Sequence, residues 1–408
     1  MLICKREQCT ACGACLAVCP KQCISWEEDR MHVRVANADD AQCVHCDLCK
    51  RVCPQVNKVQ GGEPSACYAA WSTDVEIRKT SASGGIAAEL YRYEEVQGGH
   101  FSGVTITPDG YAYFDIGCSL HDAKAFQNSK YVYSDLGEVY FKIYDLLASG
   151  SSFTFIGLPC QVAGLKSFLQ ARKMKTDALV TVDLVCHGTT PAQYLKNHIQ
   201  RIERKKAQKA TEVLFRDPSF GTNQFVFSLK HGMRSFYHKR VHRNDSYQIG
   251  YHYGITYREN CYHCPYASPI RQGDITLADF SGVGSVAECG YSGRKVSCIL
   301  VNTPKGAERI AELLKQKQIF AERRPLEEEF RTEKQLRAPT KISTERLRFI
   351  QAYSLNQNFE HAVFAAARHK ILRNEIKHYL HIEDILRIIR RIVPKSVKNK
   401  LKRSLKGK

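Results

Sequence analysis

Two cysteine runs near the amino terminus constrain this chain more than any other feature. The first run is Cys9-x2-Cys12-x2-Cys15-x3-Cys19-Pro20, and the second repeats the same spacing from Cys43 to Pro54. In this pattern three thiolates wrap one cubane cluster, while the fourth, followed by proline, points at the neighbouring cluster. The spacing predicts a bacterial-type ferredoxin module with two 4Fe–4S clusters. The predicted ligands are Cys9, Cys12, Cys15 and Cys53 for one cluster, and Cys43, Cys46, Cys49 and Cys19 for the other.

Zinc sites and a disulfide scaffold are the alternatives for so many cysteines. Zinc sites use Cys-x2-Cys pairs that lie far apart, and they rarely need eight cysteines with prolines in register. Disulfide frameworks are typical of small secreted chains, whereas this chain has 408 residues and opens without an apolar signal segment. We therefore expect a cytoplasmic protein with reduced thiols. No apolar run approaches the roughly 18 residues of a membrane span.

The net charge of +19 is concentrated at the carboxyl end. Residues 365–408 contain 14 Lys or Arg and 3 Asp or Glu, a net charge of +11. A nucleic-acid interface would instead spread its basic residues over a folded face that also carries aromatic side chains. We therefore expect no nucleic-acid partner.

The same basic segment contains an amphipathic pattern. One helical face carries the apolar residues, the arginines lie mostly opposite, and Pro394 ends the helix. The apolar residues are Ile382, Ile385, Leu386, Ile389, Ile392 and Val393. A basic helix of this kind commonly lies on an anionic membrane surface. The sequence therefore allows peripheral attachment to a membrane, and the alternative is that the apolar face packs on the protein itself or on a partner.

The chain divides into four segments by composition and pattern. Residues 1–58 form the ferredoxin module, and a linker-like stretch follows. Residues 65–150 read as mixed strands and helices, and residues 151–340 alternate strands and helices as a layered α/β region does. Residues 341–408 read as a basic helical extension. The expected fold class is therefore α+β and α/β: a two-cluster ferredoxin module, a layered α/β region and a helical tail.

Four further cysteines are candidate metal ligands because of their positions. Cys160 follows a predicted buried strand at the start of a helix, and Cys186 ends the next predicted strand. Ligands gather beyond the carboxyl ends of strands in open α/β sheets. Cys261 and Cys264 form a Cys-x2-Cys-Pro loop that could complete the set. Four convergent thiolates would suit a third 4Fe–4S cluster or a tetrahedral zinc ion, whereas buried structural cysteine remains the alternative for each.

Other candidate binding residues carry weaker signals. Ser83, Gly84 and Gly85 open a predicted helix with a turn whose amides could bind phosphate, although such turns are also plain helix caps. Asp279 ends a predicted strand and could bind a ribose or hold a cofactor loop. Lys130 could face a phosphate or carboxylate, or could be solvated surface.

Eight motifs in order resemble the coenzyme F-420 hydrogenase/dehydrogenase beta-subunit family over residues 1–340. They follow the ferredoxin runs and read SASGGIAAEL, SKYVYS, GLPCQVAGLKSFL, VDLVCHGTTP, FRDPSFG, CYHCPYA, DITLADFSG and GRKVSCILVNTPKG. The resemblance implies an FAD-binding domain beside a 4Fe–4S cluster. It also implies that the turn at Ser83–Gly85 is an FAD pyrophosphate site, and that the four later cysteines hold a third cluster. Family members usually read Gly-Asp-x-Trp-Gly where this chain has Ala278-Asp279-Phe280-Ser281-Gly282.

The expected function is that of an iron–sulfur flavoprotein oxidoreductase. It would pass electrons between ferredoxin-type clusters, FAD and a redox partner protein, a substrate or a small hydride carrier, because flavins convert hydride chemistry into single electrons. The first alternative is a coenzyme F-420-dependent dehydrogenase or hydrogenase subunit. The second is an electron-transfer subunit without its own substrate.

Overall fold

The ferredoxin module forms the amino-terminal part of the computed structural model, which describes residues 1–380 except Ser292 and Arg294. Two antiparallel strands form a hairpin, and a short helix holds the third cysteine of each run. The elements are α1 (Ala14–Val18), β1 (Ile24–Glu28), β2 (Arg34–Ala38) and α2 (Leu48–Val52).

A nine-stranded mixed sheet forms the centre of the molecule. Its spatial order is β14-β3-β13-β12-β8-β7-β4-β5-β6. Strands β12, β8, β7 and β4 run parallel to one another, so their carboxyl ends lie at one edge. The strands are β3 (Ala66–Ser72), β4 (His100–Ile106), β5 (Ala112–Gly117), β6 (Ser134–Asp135), β7 (Phe153–Gly157), β8 (Leu179–Leu184), β12 (Ile275–Asp279), β13 (Ser297–Val301) and β14 (Ile319–Arg324).

Helices cover both faces of this sheet, which explains why its central strands are almost entirely apolar. Phe153 and Phe155 of β7 face one layer of helices together with the ferredoxin module. Ile156, Val180 and Val182 face the other layer. The helices around the sheet are α3 (Val75–Thr80), α4 (Ile86–Gln97), α5 (Leu120–Phe126), α6 (Val139–Ala148), α7 (Pro159–Ala171), α10 (Pro304–Lys315) and α11 (Leu326–Thr332).

A second core lies beside the sheet, around a three-stranded antiparallel sheet of order β11-β10-β9. Residues 341–408 were expected to form a tail, but their described part begins with two helices that pack into this core through Phe349, Phe359 and Val363. The elements are β9 (Glu212–Leu214), β10 (Val226–His231), β11 (Arg234–Arg240), α8 (Ala192–Lys206), α9 (Ser246–His252), α12 (Thr344–Asn356) and α13 (Phe359–Tyr379).

The expected mixed α/β class with an amino-terminal ferredoxin module is confirmed. Segments 65–150 and 151–340 contribute strands to the same sheet, because β3 pairs with β13 and β14, and β4 pairs with β7. The amphipathic helix expected at 382–393 lies outside the described residues. Among residues 1–380, apart from the two omitted positions, no helix has the length and apolar character needed to cross a bilayer.

A buried charge cluster holds the second core together. His198 of α8 places Nε2 2.9 Å from Oδ2 of Asp245 and contacts Glu360 through Nδ1. Asp245 caps α9, and Glu360 lies in the first turn of α13. Although burial opposes its protonation, the two carboxylates raise the pKa of His198 to about 10. The cluster therefore ties α8, α9 and α13 through a protonated imidazole.

We expect a His198→Gln variant to be less stable than the wild type by an amount that depends on pH. Because the pKa is raised in the folded state, the stabilisation is complete below the unfolded pKa of about 6.5 and is lost as pH rises through about 10. Anaerobic thermal unfolding of both proteins between pH 6 and pH 10 measures this. The difference in Tm should shrink towards pH 10, and a constant difference would contradict the protonated state.

Candidate functional site

The eight cysteines of the two runs line two cavities in the ferredoxin module. Cavity A, of about 310 Å³, is lined by Cys9, Cys12, Cys15 and Cys53. Cavity B, of about 400 Å³, is lined by Cys19, Cys43, Cys46 and Cys49. Each cavity thus combines the first three cysteines of one run with the fourth of the other. This is the crossed arrangement that the spacing predicts.

Left-handed backbone conformations wrap each run around its cavity. The residues on either side of the second cysteine have positive φ in both runs: Ala11 and Gly13 in the first, His45 and Asp47 in the second. Such φ values are costly for residues other than glycine and persist only when the surroundings enforce them. Repetition of the same turn at matching positions gives both runs one loop geometry, with the thiols directed inward.

Each ferredoxin cavity contains one further cysteine that its spacing did not single out. Cys4 lines cavity A, and Cys23 lines cavity B. Contact with the Cys4 thiol lowers the pKa of Cys9 to about 6 and that of Cys53 to about 7. Cys23 Sγ lies 3.5 Å from Cys19 Sγ. Neither residue belongs to a repeated motif, so sequence spacing carried no signal for them.

Cavity C, of about 630 Å³, lies at the carboxyl edge of the central sheet. It is lined by all four of the later candidate cysteines, Cys160, Cys186, Cys261 and Cys264. Cys160 sits in the first turn of α7 after β7, and Cys186 follows the adjacent parallel strand β8. Cys261 lies in a 3₁₀ turn, Glu259–His263, and Cys264 ends that turn. Parallel pairing of β7 and β8 therefore brings the first two thiols to one edge.

A buried ion pair positions the loop that carries Cys264. Arg271 donates to Asp183 of β8 at 2.8 Å and to the carbonyl oxygen of Tyr266 at 3.1 Å. Asp183 also accepts the amides of Gln272 and Gly273. Since a buried carboxylate needs such partners to be tolerated, Asp183 ties the loop to the sheet.

Burial and mutual repulsion determine the protonation of the thiols in cavity C. Burial first, and then the neighbouring cysteines, raise the pKa of Cys160 and Cys186 well above the usual value, and that of Cys264 to about 11. Metal binding to such thiols releases their protons, because the thiolate is the ligand. The Thr189 amide donates to Cys261 Sγ at 3.4 Å, and such donors to sulfur tune cluster potentials.

No three His, Cys, Asp or Glu side chains within the described residues gather tightly enough to ligate a single metal ion. The cysteines instead line open cavities, with four of the predicted ligands in each. A cubane cluster takes one thiolate at each of its four iron corners, so the donor sets of cavities A, B and C fit such a group.

Cavities A and C lie on either side of a short bridge. Thr10 lines both cavities. Arg258 donates to the Thr10 carbonyl oxygen at 3.0 Å and stacks over Tyr133, whose hydroxyl donates to the Ala11 carbonyl oxygen at 2.8 Å. Arg258 is buried, and no motif indicated it. The ferredoxin module is therefore anchored at the point where its cysteines approach the sheet.

Gly164 allows α7 to pack directly on the ferredoxin module. A Cβ atom at this position would lie 2.9 Å from Cys12 Cβ and 2.6 Å from the Tyr140 hydroxyl oxygen. On the next turn, the Ser167 hydroxyl donates to the Val52 carbonyl oxygen at 2.7 Å. The absence of a side chain thus brings Cys12 against the helix that begins at Pro159.

The turn expected to bind pyrophosphate is engaged within the protein. The Gly84 amide donates to the Ser297 hydroxyl at 2.9 Å, and the Ser83 hydroxyl donates to the Val296 carbonyl oxygen. Gly85 has φ +94° and precedes α4, and both glycines are buried. The amide of Gly84 therefore already has an acceptor.

Cationic side chains converge on the same turn. Arg216 donates to the Ala82 carbonyl oxygen at 3.1 Å and pairs with Asp279 at 2.6 Å. Lys295 donates to the Ser81 carbonyl oxygen and to the Thr222 hydroxyl. Asp279 thus positions an arginine beside the turn. Sequence reasoning missed Lys295, because this residue precedes strand β13 and belongs to no cationic motif.

Lys130, a candidate phosphate or carboxylate ligand, contacts the end of a helix. Its ammonium group donates to the carbonyl oxygens of Ala125 and Gln127 at the end of α5. Cations are favourable at the carboxyl end of a helix, which accounts for this position without a ligand.

The cavities and the fold together define an iron–sulfur electron-transfer protein. Residues 8–57 match the 4Fe-4S dicluster domain. Residues 150–326 match the family described as the carboxyl-terminal part of the coenzyme F-420 hydrogenase/dehydrogenase beta subunit. The expected resemblance to that family of oxidoreductases is therefore confirmed over residues 150–326.

The chain is also similar to chains of solved structures. One of them is a chain of the F-420-reducing nickel–iron hydrogenase complex from Methanosarcina barkeri, which is 16% identical, with a TM-score of 0.42. The match covers 78% of this chain and 94% of that chain. No curated protein matches the sequence.

We expect a Gly164→Val change to disturb cavity A. The added side chain would overlap Cys12 and Tyr140, and overpacking of this kind costs about 1–3 kcal/mol. Anaerobically purified variant should show a lower Tm and less iron per chain. Gly290→Ala is the matched control, because a Cβ atom there meets nothing within 4 Å. Unchanged iron and Tm in Gly164→Val would contradict the close packing.

Proposed function

We propose that this chain is an iron–sulfur flavoprotein oxidoreductase with three 4Fe–4S clusters and FAD. Cavities A and B would hold the two ferredoxin-type clusters, and cavity C would hold the third. The observation that carries the proposal is that every cavity is lined by a set of four candidate cysteines, and that cavities A and C share Thr10. When bound, the clusters supply one-electron transfer and the flavin supplies hydride exchange.

Residues between cavities A and C connect the two cysteine sets by direct contacts. Arg258 lines cavity C and donates to the backbone of the Cys9–Thr10 segment, which lines cavity A. Tyr133 and Tyr266 line cavity C, and Gln55 of the ferredoxin module donates to the Tyr266 hydroxyl at 3.1 Å. These contacts fix the two cysteine sets relative to each other. Such a fixed arrangement would serve electron transfer between groups bound in cavities A and C.

The flavin would bind with its diphosphate beside the Ser81–Gly85 turn. Lys295 and Arg216 converge there, and both are held by carbonyl or hydroxyl oxygens of the turn region. Charge-assisted hydrogen bonds from such groups are the strong interactions in phosphate recognition. Since the Gly84 amide is occupied by Ser297, these two side chains are the better candidates for diphosphate contacts. Asp279 would keep Arg216 in position.

The electron acceptor or donor beyond the flavin would be a partner protein or a small hydride carrier. The second candidate function is exchange of a hydride with coenzyme F-420. It is favoured because the name of the family that residues 150–326 match includes this coenzyme. Anaerobic mixing of the flavin-loaded chain with reduced coenzyme F-420 tests this candidate. Loss of the deazaflavin's reduced spectrum with concurrent flavin reduction would support it, and no exchange would leave the general oxidoreductase.

Anaerobically purified protein should contain about twelve irons per chain, four for each cubane cluster. A Cys261→Ala/Cys264→Ala variant should lose about four irons and retain the ferredoxin-type EPR signals. Cys118→Ala is the control, because this cysteine is exposed and lines none of the three cavities. If the wild-type protein contains zinc and lacks both iron and sulfide, the three-cluster proposal is wrong.

Affinity of the flavin-free chain for FAD should depend on Lys295. Partial burial and the neighbouring Arg216 lower the pKa of Lys295 to about 8. The cation is therefore lost as pH rises through about 8, and FAD binding should weaken over that range. Lys295→Arg should bind FAD without this pH dependence, since arginine stays protonated.

Removal of the cation gives the complementary test. Lys295→Met should weaken FAD binding on the order of tenfold or more, the worth of a charged hydrogen bond. Lys79→Met is the matched control, because Lys79 is largely exposed and pairs with Glu76. Isothermal titration at pH 7 measures both. Equal affinities in the two variants would place the diphosphate elsewhere.

A further inference from the structure

Each ferredoxin cavity holds five cysteines, although a cubane cluster is ligated by four. The fifth thiol is Cys4 in cavity A and Cys23 in cavity B. All of these cysteines are free thiols. Because each cavity contains one such extra thiol, we expect its role to lie at the cluster sites.

The two surplus thiols contact equivalent ligands. Cys4 lines the same cavity as Cys9, the first cysteine of one run, and Cys53, the fourth cysteine of the other, and it interacts with both thiols. Cys23 contacts the corresponding pair, with Sγ 3.5 Å from Cys19 Sγ and a contact to Cys43. Each surplus thiol therefore lies beside the corner of the cavity where the two runs meet.

The backbones of both surplus residues are anchored, so their side chains stay beside the cavities. The segment before Cys4 is bridged to β2 through Leu2 and Asn37. The Cys23 carbonyl oxygen accepts the Asp39 amide at 2.8 Å, immediately before β1. A change of side-chain rotamer is therefore the motion available to each sulfur. No refolding of a loop is needed to bring it towards an iron at the neighbouring corner.

We propose that Cys4 and Cys23 are reserve ligands that can replace Cys53 and Cys19 on the clusters of cavities A and B. In the exchange, the surplus thiol passes its proton to the departing cysteine thiolate, whose bond to iron breaks as the surplus thiolate bonds to the same iron. The oxidation state of the cluster is unchanged. The chain thereby keeps a cluster when the fourth cysteine of a run is lost. The inference rests on the proposed ligation of cavities A and B.

The experiment compares single and double variants of the full-length chain, purified anaerobically. Iron and acid-labile sulfide per chain and EPR spectra of the reduced protein are the measurements. Cys4→Ala alone should retain the full iron content. Cys53→Ala should also retain it, with shifted g-values because one ligand has changed. Cys53→Ala/Cys4→Ala should lose about four irons. Cys19→Ala and Cys19→Ala/Cys23→Ala form the parallel series for cavity B.

The matched control for the second substitution is Cys53→Ala/Cys118→Ala, which removes an exposed thiol and should keep the iron of the single variant. Loss of about four irons in Cys53→Ala alone would overturn the reserve role and leave the ligand assignment standing. Loss in Cys4→Ala alone would make Cys4 a primary ligand and also overturn it. Full iron in the double variant would refute Cys53 as a ligand, and with it the proposed ligation. Retention of the cavity C signal reports that each variant is folded.

Discussion

The buried ion pair between Asp183 and Arg271 is the interaction on which the third cysteine set depends. Both side chains are almost completely excluded from solvent, and Asp183 also accepts two backbone amides and the Thr276 hydroxyl. Breaking a buried pair of this kind by removing one partner costs about 3–5 kcal/mol, because the other charge is left uncompensated. The pair joins strand β8, which ends next to Cys186, to the loop that carries Cys264. One electrostatic contact therefore holds thiols from distant parts of the chain around one cavity.

The second constraint is the close approach of the ferredoxin module to α7. Gly164 and Ser167 lie on the same face of this helix and contact the segments around Cys12 and Val52. Because Cys160 lies in the first turn of the same helix, one rigid element touches two cysteine-lined cavities. Arg258 adds a second anchor for the module by donating to the Thr10 carbonyl oxygen. The module is thus packed against the sheet through backbone contacts near its cysteines, which suits transfer of electrons between the two sets.

Local sequence reasoning succeeded where chemistry is encoded by spacing. The doubled cysteine run predicted the grouping into cavities A and B, and strand-end positions predicted the convergence of Cys160 and Cys186. It was weaker where partners come from distant segments. Ser297 occupies the Gly84 amide and Asp279 pairs with Arg216. Lys130 caps a helix, and residues 344–379, expected as part of a tail, pack into a core. None of these contacts has a signature within a short window.

The sequence by itself determined the cluster-binding loops, because thiol spacing and the turns around the second cysteine act over a few residues. It also determined the alternation of buried strands and helices that builds the central sheet. Only the tertiary structure decided that Cys4 and Cys23 share cavities A and B with the predicted ligands. It also decided that Arg258 lies between cavities A and C and that Lys295 lies beside the Ser81–Gly85 turn. The physical reason is that these positions follow from strand order and helix packing, which combine residues up to several hundred positions apart, as Arg258 and Thr10 illustrate.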